Sequence, residues 1–359
     1  MGIIRFLLAI SVVIAHSKAI FGINIVGGQI AVQSFFIISG FYMSLILNEK
    51  YINKNKSFKL FITNRLLRLY PLYWAVLILT IIFSTIVLFN FESPNEGRFL
   101  AYSMYSKNLS FGTIAFLAFT NVFIFFQDVI LFLGVDLQSG NLFFTDSFLN
   151  TSPKLYTFLL IPQGWTVGLE LMFYLIAPLL VRKKLKIIIP LIILSVTIRI
   201  LLFNMGYKDD PWTYRFFPSE LVFFLLGNIS YRILKFIQKQ TIDKLYSYIL
   251  LTIILIFTIF YDKVDFSYKM YIYFTLFFIA LPFIFELTKK WKKDIIIGEL
   301  SYPIYISHFL VIYIIRTIEL KTYGHSGLVI VFFTIAISTL LNELIAKKVE
   351  KYRQNRITK

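Results

Sequence analysis

The chain alternates long apolar runs with short polar segments, and this pattern predicts a bundle of membrane-spanning helices. A spanning helix needs about 20 apolar residues, and ten runs approach or exceed that length. They are 3–21, 29–47, 70–91, 164–181, 185–203, 217–236, 246–261, 268–287, 302–318 and 327–346. The expected fold class is therefore an all-α polytopic membrane protein with about ten transmembrane helices. Since no internal repeat and no Pro- or Gly-rich linker divides the chain, we expect one integral-membrane domain over 1–359.

An eleventh apolar run, 112–133, fits this pattern less well. Its interior carries Asn121, Gln127 and Asp128, and both of its flanks are poor in Lys and Arg. A single crossing there would move every later basic cluster to the opposite side of the membrane. We therefore predict a re-entrant or interfacial helix that covers a cavity, with eleven spans as the alternative.

Composition and charge strengthen the membrane interpretation. Hydrophobic residues make up 58% and charged residues 15% of the chain, against roughly 45–50% and about 25% in soluble domains. Of the 36 Lys and Arg residues, 24 lie in five segments between spans. These segments are 48–69, 182–186, 232–244, 288–294 and 347–359. The positive-inside rule places them and both termini in the cytoplasm, so the net charge of +17 indicates orientation rather than nucleic-acid binding.

Arg5 and His16 are the first polar residues that a lipid-facing helix would not carry. They are 11 positions apart, about 1100° of helix rotation, and therefore share one face of the first span. The rise between them is about 16 Å, which puts Arg5 at the cytoplasmic rim and His16 past the bilayer centre. An imidazole can act as a general base near neutral pH, although a packing role for His16 remains an alternative.

Arg65 and Arg68 lie three positions apart, just before Tyr70 and Pro71. On a helix the two guanidiniums would share a face, and they could bind phosphate oxygens in a bidentate manner that Lys cannot match. On the cytoplasmic side, the polyphosphate would be a nucleotide or coenzyme A. Plain positive-inside anchoring is the alternative.

Two further segments place polar side chains at the start of spans. The run from Gln163 to Glu170 opens one span from the outer side, with Trp165 in its first turn, and puts Glu170 about 9 Å below Gly164. In the run from Gly298 to His308, the side chains of Ser301, Tyr305 and His308 fall on one face. Helix packing accounts for the small and aromatic residues there but not for the histidine.

Taken in order, these segments resemble the acyltransferase-3 family, multi-span O-acyltransferases of bacterial surface polysaccharides. The resemblance covers nearly the whole chain. It rests on Arg5 with His16, on 35–41 (FFIISGF), on Arg65 with Arg68 before Tyr70-Pro71, on 165–170 (WTVGLE) and on 301–308 (SYPIYISH). Two departures are Thr166 and Gly168, where the commoner pattern has Ser and a bulkier residue. We expect a stand-alone enzyme without the hydrolase-like domain that some relatives carry.

The resemblance implies acetyl-coenzyme A or another acyl-coenzyme A as co-substrate, arriving from the cytoplasm near Arg65 and Arg68, and an essential His16. It also implies a glycan acceptor, such as a lipopolysaccharide, capsule or exopolysaccharide precursor, and a place in the lipid of the bacterial inner membrane. No permanently bound cofactor, metal site or nucleic-acid partner is expected. We expect His16 to be the base or a transient acyl carrier, and Glu170 to orient its imidazole. The predicted substrate-binding residues are Arg5, Arg65, Arg68, Trp165, Ser301, Tyr305 and His308.

These residues predict a cavity walled by the spans 3–21, 29–47, 164–181 and 302–318, with 112–133 as its lid. The chain contains no Cys, which excludes a cysteine thioester relay. A transporter or flippase of a polysaccharide precursor is the competing function, since carriers also combine many spans with polar residues at mid-membrane. The lack of an internal repeat and the grouping of the motifs around one histidine favour the enzyme.

Overall fold

A computed structural model describes residues 1–51, 58–90, 97–240 and 243–358. Parts of the predicted segments 48–69, 70–91, 232–244 and 347–359 lie outside the described residues. The structure is 76% helical. Its helices are α1 (Gly2–His16), α2 (Gly28–Glu49), α3 (Phe58–Asn90), α4 (Leu100–Tyr105), α5 (Phe111–Phe123), α6 (Trp165–Leu180), α7 (Leu185–Asn204), α8 (Phe217–Ile237), α9 (Lys244–Phe260), α10 (Lys269–Thr288), α11 (Lys292–Glu299), α12 (Ser301–Thr317), α13 (Ser326–Leu341) and α14 (Lys347–Thr358).

Each of the ten predicted spans falls on a helix, and the chain is an all-α integral membrane protein. Among the described residues, eight helical stretches are long and apolar enough to cross a membrane. The helix α1 is not one of them because it has only 15 residues and ends at His16 rather than at residue 21. The helix α8, which carries Glu220 and Asn228 in its interior, is not in that set either. The number of crossings therefore stays a prediction.

The run 112–133 is not one continuous helix, and its predicted re-entrant or interfacial placement stays a prediction. The helix α5 has 13 residues and a length of about 20 Å, less than the hydrocarbon core of about 30 Å. Positive φ angles of 65° at Ile124 and Phe126 then turn the chain away from the helix axis. It continues into a strand β1 (Leu133–Val135), which pairs antiparallel with β2 (Leu142–Phe144). Three of its apolar residues, Leu117, Ile130 and Leu133, lie in a small separate core, whereas Phe119, Phe123 and Phe126 are exposed.

The helix α3 begins earlier than the sequence predicts. It starts at Phe58 rather than at residue 70, so Arg65 and Arg68 lie on its first three turns and not in a loop. Tyr73 and Trp74 of α3 donate hydrogen bonds to the carbonyls of Asn121 and Val122 at the end of α5, at 2.5 and 2.9 Å. These bonds satisfy carbonyls that the helix end leaves free and fix α5 against α3.

The centre of the bundle is the crossing of α2 and α8. A Cβ on Gly40 would lie 1.9 Å from the Phe224 carbonyl oxygen, and one on Gly227 would lie 2.1 Å from that of Ile37. Only glycine permits this close approach of two backbones, as in other membrane helix pairs. In the apolar stretch of α2, 83% of the residues are buried, against 11% in that of α7. The helix α2 is therefore central, and α7 lies at the edge of the bundle.

A buried ion pair joins α7 to α8. Arg199 donates to Glu220 at 2.5 Å, and Gln33 of α2 donates to the same carboxylate at 3.1 Å. Glu220 is fully buried, and a buried charge is tolerated only when it is paired and hydrogen-bonded. This packing role accounts for two of the charged residues that the sequence places at span depth.

Candidate active site

A narrow cavity lies between α1, α2, α3, α6 and α12. We call it the central cavity; its volume is about 100 Å³. The four predicted walls are present, and α3 is a fifth. Its polar lining consists of Arg5, Ser39, Tyr42, Arg68, Thr166, Glu170, Tyr174, Ser301, Tyr302 and Tyr305. Four of the predicted substrate-binding residues, Arg5, Arg68, Ser301 and Tyr305, therefore meet around one space.

Arg5 is fixed at one end of this cavity by α12. Its Nη2 donates to Ser301 Oγ at 2.7 Å, and Ser301 Oγ donates in turn to the Gly298 carbonyl at 2.8 Å. The guanidinium also lies 6.0 Å from the centre of the Tyr42 ring. Arg5 is thus held in one orientation with its charge facing the cavity.

A second, larger space adjoins the central cavity and shares Arg5, Tyr42, Arg68 and Tyr302 with it. We call it the wide cavity; its volume is about 600 Å³. Five cationic and three acidic side chains line it. They are Arg5, Arg68, Lys289, Lys347 and Arg353, and Asp294, Glu299 and Glu350. The wide cavity therefore has an excess of positive charge and suits an anionic ligand.

Arg65 and Arg68 do not act as a pair on either cavity. Both lie on α3, as the helical interpretation requires, but only Arg68 is among the residues that line the two spaces. Arg65 is 4% exposed, and its Nε has no hydrogen-bond partner among the described residues. In this arrangement Arg65 lies behind the cavity wall and only Arg68 faces the two spaces, so a joint contact of both guanidiniums with one ligand stays a prediction.

His16 and His308 form a pair at the far end of α1 and α12, with ring centroids 5.2 Å apart. His16 Nδ1 lies 2.9 Å from the Val12 carbonyl oxygen, and His308 Nδ1 lies 2.6 Å from that of Tyr305. Because a carbonyl only accepts, both Nδ1 atoms carry a proton, and in the neutral form of each ring Nε2 has a lone pair. His308 is fully buried, and its Nε2 has no partner in the described part of the chain, whereas His16 is exposed.

Arg5 and His16 both contact α12, at Ser301 and His308 respectively. The two helices therefore run side by side in the same direction, and one face of α1 carries both residues. Tyr305 lies between these contacts. Its ring is 5.9 Å from that of His308, and its hydroxyl accepts from Thr166 at 2.7 Å and donates to the Gln163 carbonyl at 3.1 Å. Tyr305 thus separates the central cavity from the histidine pair.

Glu170 does not orient His16, contrary to the sequence prediction. Its Oε1 accepts from Ser39 Oγ at 2.6 Å and from the Tyr174 hydroxyl at 2.5 Å, and the proton on His16 Nδ1 is bound by a backbone carbonyl instead. Thr166 is level with Tyr305, and Glu170 is one turn further along α6, away from His308. Glu170 and His308 are therefore about 10 Å apart along the helix axes. Glu170 faces the central cavity with Arg5 and Arg68.

Comparison with known protein families assigns the chain to one of them. A model of the acyltransferase-3 family, described as an acyltransferase domain, matches residues 1–343. The chain belongs to this family. It is a membrane O-acyltransferase, and this decides between the enzyme and the carrier. A similar protein is an uncharacterized protein of Aquifex aeolicus (strain VF5), 28% identical over 202 residues, which cover 54% of this chain and 90% of the relative. No solved structure matches the chain.

Trp165, which the sequence suggests as a substrate contact, lies outside both cavities of this acyltransferase. Its ring packs 4.9 Å from that of Tyr214, and the Arg215 guanidinium lies 4.2 Å from its centre. These contacts tie the start of α6 to the segment before α8. Trp165 is therefore a packing residue, and its neighbour Thr166 is the one that reaches the central cavity.

The segment 112–133 does not cover the central cavity, so its predicted role as a lid is wrong. It packs over the start of α6, where a Cβ on Gly164 would lie 2.4 Å from the Gln127 side-chain oxygen. A Cβ on Gly168 would lie 3.2 Å from the Ile124 carbonyl oxygen. This contact explains why the chain has Gly168 where the commoner family pattern has a bulkier residue.

Beyond this segment lies a third space of about 650 Å³, which we call the aromatic cavity. Phe132, Tyr207 and Trp212 form part of its lining, together with Asp128 and Asp146. Asp128 is 8% exposed, and its Oδ1 has no partner among the described residues. Burial raises the pKa of Asp128 to about 6.

Sequence reasoning missed several residues that line the two cavities. Ser39 and Tyr174 bind Glu170, and Tyr42 faces Arg5, but each resembles an ordinary helix-packing residue. Lys347 and Arg353 lie on α14, whose polar sequence resembles a solvated tail. Only the i, i+4 spacing of Glu170 and Tyr174 was visible in the sequence as a possible hydrogen bond.

Proposed function

We propose that the protein transfers an acyl group, specifically acetyl, from cytoplasmic acetyl-coenzyme A to a hydroxyl of a cell-surface or lipid-linked glycan. The observation that carries this proposal is the order of the parts along α1 and α12. A positively charged wide cavity leads into the narrow central cavity, and the histidine pair lies beyond Tyr305. A donor with an anionic head and a thin reactive arm fits this order.

The volumes of the wide and central cavities support binding of two different parts of the donor in them. The wide cavity is within the roughly 300–1,000 Å³ of typical ligand pockets and would hold the phosphorylated nucleotide of coenzyme A. The central cavity, at about 100 Å³, is too small for a nucleotide but would take the pantetheine arm. Arg68, which lines both, would bind phosphate oxygens at their junction. The thioester would then point towards Tyr305 and the histidines.

His16 supplies the reactive group in this proposal, since its Nε2 lone pair is free and its side chain is accessible. As a base, Nε2 takes the proton of the acceptor hydroxyl while the hydroxyl oxygen attacks the thioester carbonyl. The carbon–sulfur bond then breaks, and the sulfur leaves as the thiol with the proton returned by the imidazolium. As a carrier, Nε2 itself attacks the thioester carbonyl, the carbon–sulfur bond breaks, and coenzyme A leaves as the thiolate. The acceptor oxygen then attacks the acyl-imidazole, the carbon–nitrogen bond breaks, and the hydroxyl proton passes to the thiolate. The free Nε2 of His308 would accept a hydrogen bond from a bound substrate.

The acceptor would approach from the side opposite to the wide cavity. The segments 92–163 and 204–216 are poor in Lys and Arg and are predicted to face outward. With the basic segments and both termini in the cytoplasm, the enzyme would lie in the bacterial inner membrane. The acceptor would be a lipopolysaccharide, capsule or exopolysaccharide precursor, and no nucleic acid takes part.

The test uses purified protein in nanodiscs with acetyl-labelled coenzyme A and surface glycan from the producing cells. The wild-type protein should move label into ester linkage on the glycan, and His16→Ala should not. The matched control is His325→Ala, because His325 is the remaining histidine of the chain and lies in the turn before α13. Transfer by His16→Ala at the wild-type rate would overturn the role of His16. Absence of labelled glycan with the wild-type protein would overturn the assignment of donor or acceptor.

A further inference from the structure

The helix α14 contributes a wall of the wide cavity although it lies beyond the family match of 1–343. We propose that α14 completes the binding site for the donor phosphates and that Arg353 is a phosphate-binding residue. This inference rests on the proposed function, because it takes the ligand to be coenzyme A or its thioester. The chemical class it names is an organic polyphosphate.

Arg353 is held in place by two bonds at the edge of the wide cavity. It is 3% exposed; its Nε donates to the Asn64 carbonyl of α3 at 2.7 Å, and its Nη1 pairs with Glu350 one turn earlier on α14. A guanidinium fixed in this way presents its remaining N–H groups in a set geometry, which is what bidentate binding of phosphate requires. Arg353 is therefore preorganised rather than free in solvent.

The charge around Arg353 is not balanced by the protein. Arg353 lies within electrostatic reach of Arg65 and Arg68, and Arg68 within reach of Arg5. Glu350 and Glu170 lie within the same reach. Around the wide cavity as a whole, five cationic side chains face three carboxylates, an excess of two positive charges. Buried charge without a partner is costly, and a bound polyphosphate would remove that cost.

The lysines of the same cavity are weaker candidates for this role. Lys347 pairs with Glu343, and Lys289 pairs with Glu286, each within one turn of its own helix segment. Both ammonium groups are partly exposed, where ion pairs contribute little and water competes with a ligand. Arg353 is the buried cation that α14 adds to Arg5 and Arg68.

A neighbouring arginine offers a matched control. Arg356 also belongs to α14 and also anchors it to α3, donating to Asn64 Oδ1 at 2.7 Å and to Thr63 Oγ1 at 3.0 Å. It is not among the residues that line the wide cavity. Arg356→Ala therefore removes a comparable packing contact without touching the proposed site.

The experiment measures equilibrium binding of labelled coenzyme A to the full-length protein in nanodiscs. Arg353→Ala should weaken binding by about ten- to a hundredfold, since hydrogen bonds to charged groups contribute about 1.5–3 kcal/mol. Arg356→Ala should stay within about twofold of the wild-type protein. Thermal unfolding of each variant reports whether α14 remains docked.

A second probe separates phosphate binding from general damage. Acetyl-pantetheine carries the thioester and the arm but lacks the nucleotide phosphates, so its turnover should be equal in the wild-type protein and in Arg353→Ala. If Arg353→Ala does not fold, Arg353→Lys should bind coenzyme A several-fold more weakly with unchanged turnover of acetyl-pantetheine.

Equal affinity of Arg353→Ala and wild type for coenzyme A would overturn the proposal. Equal losses in Arg353→Ala and Arg356→Ala would overturn it too, because docking of α14 would then explain both. If the wild-type protein bound no coenzyme A, the proposed donor itself would be wrong. This outcome is distinguishable from the failure of the present proposal, in which the wild-type protein and Arg353→Ala bind coenzyme A equally well.

Discussion

The two ends of the contact between α1 and α12 use different chemistry. At one end, Arg5, which donates a hydrogen bond to Ser301, lines the wide cavity together with Arg68 and Arg353. At the other end, His16 and His308 present imidazole rings whose Nδ1 atoms are bound by backbone carbonyls. A permanent charge at mid-membrane is costly, so fixed cations lie where an anionic ligand would neutralise them. The deeper position uses a side chain that is charged only while it carries a proton.

This difference teaches that binding and reaction can be separated along one pair of helices. The arginines of the wide cavity offer permanent charge for holding a donor, and the histidines offer a lone pair for moving a proton or an acyl group. Variants at the two ends should therefore fail in different ways. The following four predictions, from the largest expected effect to the smallest, test that separation.

His16→Ala should lower acyl transfer by about 10²–10⁴-fold, the usual contribution of a general base. Binding of coenzyme A should be unchanged because His16 lies beyond Tyr305 from the central cavity. Labelled-acetyl transfer and coenzyme A binding, measured on the same preparation, check both halves. Loss of coenzyme A binding together with transfer would show that the two ends are not separate.

Arg68→Lys should raise KM for acyl-coenzyme A by about tenfold or more, because Lys keeps the charge but loses the bidentate contact. Arg65→Lys should leave KM near the wild-type value, since Arg65 does not line either cavity. Steady-state kinetics of the two variants form a matched pair. If both variants raised KM equally, Arg65 would reach the donor and the geometry described here would be wrong.

Glu170→Gln should lower transfer only a few-fold, because a carboxamide oxygen still accepts from Ser39 and Tyr174. The pH profile of transfer should keep its shape, since Glu170 does not contact His16. A Glu170 that oriented the imidazole would behave differently: its removal would shift the profile and reduce the rate by orders of magnitude.

Trp165→Leu should have the smallest effect on activity. It removes the ring on which Arg215 lies, a contact that contributes roughly 0.5–2 kcal/mol. Thermal stability should fall modestly while KM for acyl-coenzyme A and the transfer rate at saturation stay unchanged. A raised KM in a variant of normal stability would restore Trp165 as a substrate contact.

The membrane helices could be predicted from the sequence because a spanning helix is a local property. A run of apolar residues of sufficient length must form its backbone hydrogen bonds internally, and every predicted run does fall on a helix. The same signal does not give one continuous helix at 112–133, where apolarity alone cannot distinguish a span from a short helix that is followed by a β-hairpin. Positive φ angles at Ile124 and Phe126 interrupt that run, and neither residue type signals such a turn.

The site was predictable where one helix determines the geometry and not where several meet. The shared face of Arg5 and His16 follows from their spacing alone. The partner of Glu170 depends on the register between α2 and α6, 131 positions apart in sequence, and no spacing rule fixes that. The contribution of Arg353 depends likewise on how α14 packs against α3, and the basic composition of 347–359 indicates only its side of the membrane.

The central claim is that the donor enters at the wide cavity in the cytoplasm and that the acyl group leaves at the histidine end on the other side. Sealed membrane vesicles of defined orientation test it directly, with labelled acetyl-coenzyme A added only to the outside. Inside-out vesicles, which expose the cytoplasmic face, should accumulate labelled glycan in their lumen, and His16→Ala vesicles should not. Labelling of glycan in right-side-out vesicles, with none in inside-out vesicles, would contradict the account.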